Sequence, residues 1–402
     1  MDSMWGDDWP EVRAQWPLTK GVAHLNHGSF GTPPVPVLKQ QSWLRTELVG
    51  NPDRFFRRRM RPLLEEARLC AAAYCNAAPD SFALITNTST GISTVLGDLD
   101  FSPGDELLMT DHAYGAVRMA VERVCRRTGA VRRVVPIALF ARDEVVKNAI
   151  LAAVSDRTRL VVIDHVTCCT ARLLPIESLV HELHERDVPV LVDGAHAPGM
   201  VHVDLDTMRP DFWVGSFHKW AGAPHGAGGI YASPSWHHLV EPLVAPLAPG
   251  EVQERFPQSF VWSGTLDPTA LLVIPTALEF MSQLGWQRLQ SHNYRLAEYG
   301  RQIVAKSLDT LTDTPTEPHT AMSLVALPEN LIRNPAQAYQ LQEFIAEELM
   351  TEVSVMAWHG RGWIRLSAQV YNAPEEYDRL AEQLPARLNE FVQRSTGEAK
   401  ID

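Results

Sequence analysis

Two short apolar runs constrain this chain more than any other feature. Val188-Pro-Val-Leu-Val192 stops at Asp193, and Phe212-Trp-Val214 stops at Gly215 and Ser216. Runs of this length, closed by glycine or serine, read as strands buried on both faces. The same texture recurs upstream. Residues 82–85, 106–109 and 160–163 are brief apolar runs, followed by helical stretches at 91–99, 116–127 and 176–186. Strand and helix alternating in this way predict an α/β fold with a mostly parallel sheet covered by helices. Residues 62–74 predict a further amphipathic helix, with Leu64, Ala67, Ala71 and Tyr74 on one face.

Beyond Thr265 the texture changes to long helical stretches, with strands expected at 353–356 and 363–366. A final helix opens at Pro374, with acids in its first turn. Its buried stripe is Tyr377, Leu380, Leu384, Leu388 and Phe391, and Pro385 is expected to kink or break it. The expected organisation is a segment over 1–60 that contributes to a small domain and to the mouth of a site. A large domain follows over 61–274, and a smaller α+β domain over 275–402.

The chain has 402 residues, 45% of them hydrophobic, enough to bury a large core. Its 36 basic and 48 acidic residues give a formal charge of −12, which argues against nucleic acid as a partner. The densest basic stretch, Arg57-Arg-Arg59, reads as a solvated or interface helix face. The opening residues are acidic and lack the apolar core of a secretion signal, and no run is long enough to span a membrane. Five cysteines, Cys70, Cys75, Cys125, Cys168 and Cys169, show no metal-ligand spacing and suit a reducing cytoplasm. No metal is expected.

The chemistry converges on Asp193 and Lys219, which lie 219 − 193 = 26 residues apart. At the C-terminal ends of neighbouring strands they occupy the place where open α/β sheets bind ligands. An amine that can form a Schiff base and a carboxylate that can keep a pyridine nitrogen protonated are what a pyridoxal phosphate enzyme needs. Thr86-Asn-Thr-Ser-Thr-Gly91, between a strand and a helix, offers hydroxyls and backbone N–H groups to a phosphate. Taken alone, it would pass for an ordinary helix cap.

These segments resemble class V of the fold-type I pyridoxal phosphate enzymes, nearest the isopenicillin N epimerase-like branch. The resemblance runs from about Asn26 to Asn372. It includes Leu25-Asn-His-Gly-Ser-Phe-Gly31, Asp111-His-Ala-Tyr-Gly115, Asp164-His-Val-Thr167, Trp262-Ser-Gly-Thr-Leu-Asp267 and Ile364-Arg-Leu-Ser367. It implies that Lys219 holds the cofactor, Asp193 meets the ring nitrogen, Ala195 lies under the ring and His196 bonds near the phenolic oxygen. Thr88, Ser89, Ser216 and His218 would contact the phosphate, and Thr265 would reach the cofactor of a partner in a homodimer. Either His112 or Tyr114 would lie above the ring as stacking group or acid. Arg365 would grip the substrate's α-carboxylate, and Asn26, His27 and Ser29 would line the substrate entrance.

The branch includes epimerases, C–S lyases and enzymes that process cysteine S-conjugates in lincosamide-type antibiotic pathways. The expected activity is a C–S β-lyase acting on an S-substituted cysteine in secondary metabolism. α-Epimerisation, decarboxylating deamination and transamination are the alternatives, with a non-catalytic binding protein as the rival from another class. Cysteine desulfurases place a sulfur-accepting cysteine in the C-terminal part. No cysteine follows Cys169, which argues against that reaction. The chain departs from the branch at Cys168-Cys169, where Ser-Pro is frequent, and at His225.

Overall fold

A computed structural model describes residues 9–246, 255–262, 264–313 and 320–397. The acidic opening residues 1–8 and Ser263 of the Trp262–Asp267 motif lie outside the described residues. The chain divides into two compact units. One holds the chain up to Phe30, Cys169–Arg172 and the stretch from Leu284 onward; the other holds Gly31–Cys168 and Leu173–Gln283.

The larger unit is built on seven strands: β1 (Phe82–Ile85), β2 (Glu106–Thr110), β3 (Val131–Val135), β4 (Thr158–Asp164), β5 (Val190–Gly194), β6 (Phe212–Ser216) and β7 (Gly228–Ala232). Their order across the sheet is β1-β7-β6-β5-β4-β2-β3. All neighbours run parallel except β7, which is antiparallel to both β1 and β6. Every residue of β5, β6 and β7 is buried, as a sheet covered on both faces requires. At the free edge, β3 exposes its first four residues, including Arg132 and Arg133. Charges there discourage pairing with another chain.

The predicted strands are present, and several helices start or stop a few residues away from expectation. The helix expected from Gly91 begins at Thr88, because Asn87 caps it by accepting the Thr90 N–H. The helix expected to start at Pro62 is Met60–Tyr74, and it continues a π turn at Phe55–Arg59. There the Met60 N–H reaches back to the Phe55 carbonyl. Strands β3 and β7 escaped the sequence reading, as did Met322–Ala326. Arg-rich β3 and glycine-led β7 lack the apolar runs that mark strands.

The smaller unit carries β8 (Met322–Ala326), β9 (Ser354–Trp358) and β10 (Arg361–Ser367), an antiparallel sheet ordered β9-β10-β8. Its core joins Ile364 and Leu366 to Leu296 and Val304, Leu341 and Ile345, and Leu380 and Leu384 from three helices. Ala23 and His24 pair in parallel with Thr351 and Glu352, which ties the N-terminal segment to this unit. Pro385 does not break the last helix, which runs Pro374–Gly397. Its five stripe residues are all under a tenth exposed. Each such burial contributes about 1.5–3 kcal/mol, which together outweighs a cost of about 3 kcal/mol for an interior proline.

The units meet the chain at other seams than 61 and 275. The helix Val35–Gly50 belongs with the larger unit, where Gln41 donates to Thr269 and Arg45 pairs with Asp267 at 2.7 Å. The helix Ile274–Leu284 also stays with it as far as Gln283, burying Ile274, Ala277, Leu278 and Met281.

Candidate active site

Strands β5 and β6 run side by side with Asp193 opposite Val214, so their C-terminal ends leave the sheet together. Asp193 is 4% exposed, and its Oδ1 accepts the Ala195 N–H at 2.9 Å. Burial pushes its carboxyl up to about 6, against the pull of that N–H and of the Lys219 charge. Lys219 follows β6 in the turn after Ser216, and its Nζ lies 3.2 Å from His196 Nε2. The Trp220 indole donates to the other ring nitrogen of His196 at 3.4 Å, so the imidazole is held from both sides. A methyl group on Gly31 would stand 2.6 Å from the Lys219 Cα and 2.5 Å from the His218 carbonyl. Only glycine lets the chain pass this close behind the lysine.

A second group of polar side chains gathers where the helix Thr88–Asp98 begins. Thr88 and Ser216 are both buried, and their hydroxyl oxygens lie 2.7 Å apart. The first backbone N–H groups of a helix favour an anion at such a place. Ser89 is exposed. His218 donates from Nδ1 to the Ala227 carbonyl, and burial lowers its pKa to about 4. At neutral pH its outer nitrogen therefore carries a lone pair.

The donor set suits pyridoxal phosphate. A lysine amine, a buried carboxylate and a hydroxyl-lined helix start all issue from the same edge of one sheet. Lys219, Asp193 and the Thr88–Ser216 pair could hold its aldehyde, ring nitrogen and phosphate respectively. Ala195 and His196 follow Asp193 at the same sheet edge, and His196 sits against Lys219. Among the described residues no cluster of three or more His, Cys, Asp or Glu side chains could hold a metal ion.

His112 and Tyr114 differ sharply. His112 is 2% exposed and donates from Nε2 to the Ile137 carbonyl at 2.9 Å. Tyr114 precedes the first turn of the helix Gly115–Thr128 and is 45% exposed. Thr265 is exposed.

In the smaller unit, Arg365 lies on the central strand β10 and is 1% exposed. Its Nη2 donates to Ser29 Oγ at 2.7 Å and Asn26 Oδ1 at 3.1 Å, and Ser29 donates in turn to Asn26. Gly28 keeps this segment close: a Cβ there would stand 2.6 Å from the Met322 sulfur. His27 is fully buried, with Nδ1 2.7 Å from the Tyr371 hydroxyl and Nε2 3.3 Å from the Gln369 amide, so both ring nitrogens are engaged within the smaller unit. Asp164 went unread as a site residue. It pairs in register with Asp193, and its signal was available, since it closes the apolar run of β4.

The aminotransferase class-V sequence pattern matches residues 33–380, and the chain belongs to that family. Pyridoxal phosphate is the family's cofactor. Among curated relatives, the isopenicillin N epimerase of Streptomyces clavuligerus is 30% identical over 95% of this chain and 99% of its own length. A probable chloroplastic L-cysteine desulfhydrase of Arabidopsis thaliana is 30% identical over 90% of this chain and 82% of its own. Among solved structures, the cystine C–S lyase C-DES, in complex with its product cysteine persulfide, superposes with a TM-score of 0.80. That match covers 93% of this chain and 99% of C-DES at 21% identity, and it establishes the shared fold. Among the described residues no helix is long and apolar enough to cross a membrane.

Proposed function

We propose that this protein is a pyridoxal phosphate-dependent C–S β-lyase acting on an S-substituted L-cysteine. The observation that carries the reading is the Lys219 amine set 3.2 Å from His196 and following the strand beside the buried Asp193. When bound, the cofactor supplies an aldehyde carbon for the substrate amine and a ring that accepts the electron pair left by a departing α-proton. Asp193 keeps the ring nitrogen protonated. Thr88, Ser89, Ser216 and His218 hold the phosphate. Arg365, presented by Asn26 and Ser29, grips the α-carboxylate through its planar fork. Lys219, with its amine free, would take the α-proton. The Cβ–S bond then breaks, the sulfur leaves with the bonding pair, and hydrolysis yields a thiol, pyruvate and ammonia.

Elimination asks little of the ring's second face, whereas epimerisation needs an acid there. The engagement of His112 Nε2 with the Ile137 carbonyl favours elimination, as does the likeness to L-cysteine desulfhydrases. The epimerase reading draws on the likeness to isopenicillin N epimerases and on the exposed Tyr114, the remaining candidate acid. Incubation with S-substituted cysteines in deuterated water separates the two. Pyruvate and thiol in equal amounts support the lyase. Deuterium at the α-carbon with inversion and no pyruvate defeats it, and carbon dioxide with an aldehyde would point to decarboxylating deamination.

A further inference from the structure

Asp164 ends β4, and the strand register sets it opposite Asp193 of β5. Residues paired in register on parallel strands share one face of the sheet, with backbones about 4.8 Å apart. Both carboxylates are nearly inaccessible, at 3% and 4% exposure. Two carboxylates this close in a dry environment cannot both hold a charge at neutral pH. Their surroundings are unequal. Asp193 has the Ala195 N–H and the positive charge of Lys219. Asp164 is pushed well above the usual carboxylate range by burial and then by the Asp193 charge. The Cys168 thiol adds to that push, while the Asp164 backbone N–H and Arg118 oppose it. Cys168 bears on Asp193 in the same upward sense.

We propose that Asp164 is a positioning residue that carries the single proton of a buried carboxylate pair, so that Asp193 keeps the negative charge for the cofactor's ring nitrogen. The role rests on the cofactor reading above; the proton sharing rests on the sheet alone. A negative charge on Asp164 as well would oppose the charge on Asp193.

Infrared difference spectra of full-length protein, with aspartate carboxyls isotopically labelled, test the pair directly. Wild-type protein at neutral pH should show a protonated-carboxyl band that Asp164→Asn loses. In Asp193→Asn the same band should titrate away at a pH lower by about one unit or more, because the neighbouring charge is gone. A band that survives in Asp164→Asn overturns the pair. Should that variant fail to fold, an unmoved titration in Asp193→Asn overturns it instead. Cofactor content of the wild-type preparation separates the two ideas. A bound cofactor without the band refutes the pair alone, whereas the band without any cofactor refutes the role together with the cofactor reading.

Discussion

Arg365 is a large cation set almost wholly inside a small sheet, and its Nη2 donates to Asn26 and Ser29 of one loop. Arg365→Ala should raise the KM for an amino-acid substrate by an amount worth about 2–5 kcal/mol, while the visible spectrum of the bound cofactor stays unchanged. Ser29→Ala should cost less, about 1 kcal/mol, because it removes only one orienting hydrogen bond. An unchanged KM in Arg365→Ala would transfer the carboxylate role to another arginine. At this scale the sequence was most informative where chemistry fixes residue type. Asp193 ends one strand beside the strand that leads to Lys219, and the Thr88 and Ser216 hydroxyls meet each other. The burial of His27 was not legible, because its partners Tyr371 and Gln369 lie more than three hundred residues away. No local pattern announces such a contact.

At the scale of elements, apolar runs located the buried strands, and helix ends were the weaker part. Asn87 moved one helix start by capping it, and a π turn carried another helix back past Pro62. Strand β3 went unread since solvent-facing edge strands need no apolar run. The last helix shows packing overriding propensity: Pro385 sits inside it while Leu384 and Leu388 stay buried on either side. Pro385→Ala should restore a backbone donor at little cost in packing. We expect the denaturant midpoint to rise, corresponding to about 1–3 kcal/mol. A lower midpoint would mean that the proline ring itself fills space the alanine leaves empty.

For the whole molecule, the two units are each built around their own sheet, and the chain crosses from one to the other four times, after Phe30, Cys168, Arg172 and Gln283. That crossing hid the domain seams from a reading that looked for changes of texture along the chain. The resemblance implies a homodimer in which Thr265 serves the partner's cofactor. Closed two-fold dimers are the commonest homo-oligomers. Co-expressed Lys219→Ala and Thr265→Ala chains should recover part of the activity that each lacks alone, since a mixed dimer keeps one undamaged site. No recovery, with a monomer by light scattering, would remove Thr265 from the site.

We propose that Lys219 is the residue that holds pyridoxal phosphate. Borohydride reduction of the purified, full-length protein followed by peptide mapping tests it most directly. One cofactor label is expected, on the peptide carrying Lys219, and none in Lys219→Ala protein that remains folded. A label on any other lysine, or cofactor absorbance retained by the folded Lys219→Ala protein, would contradict it.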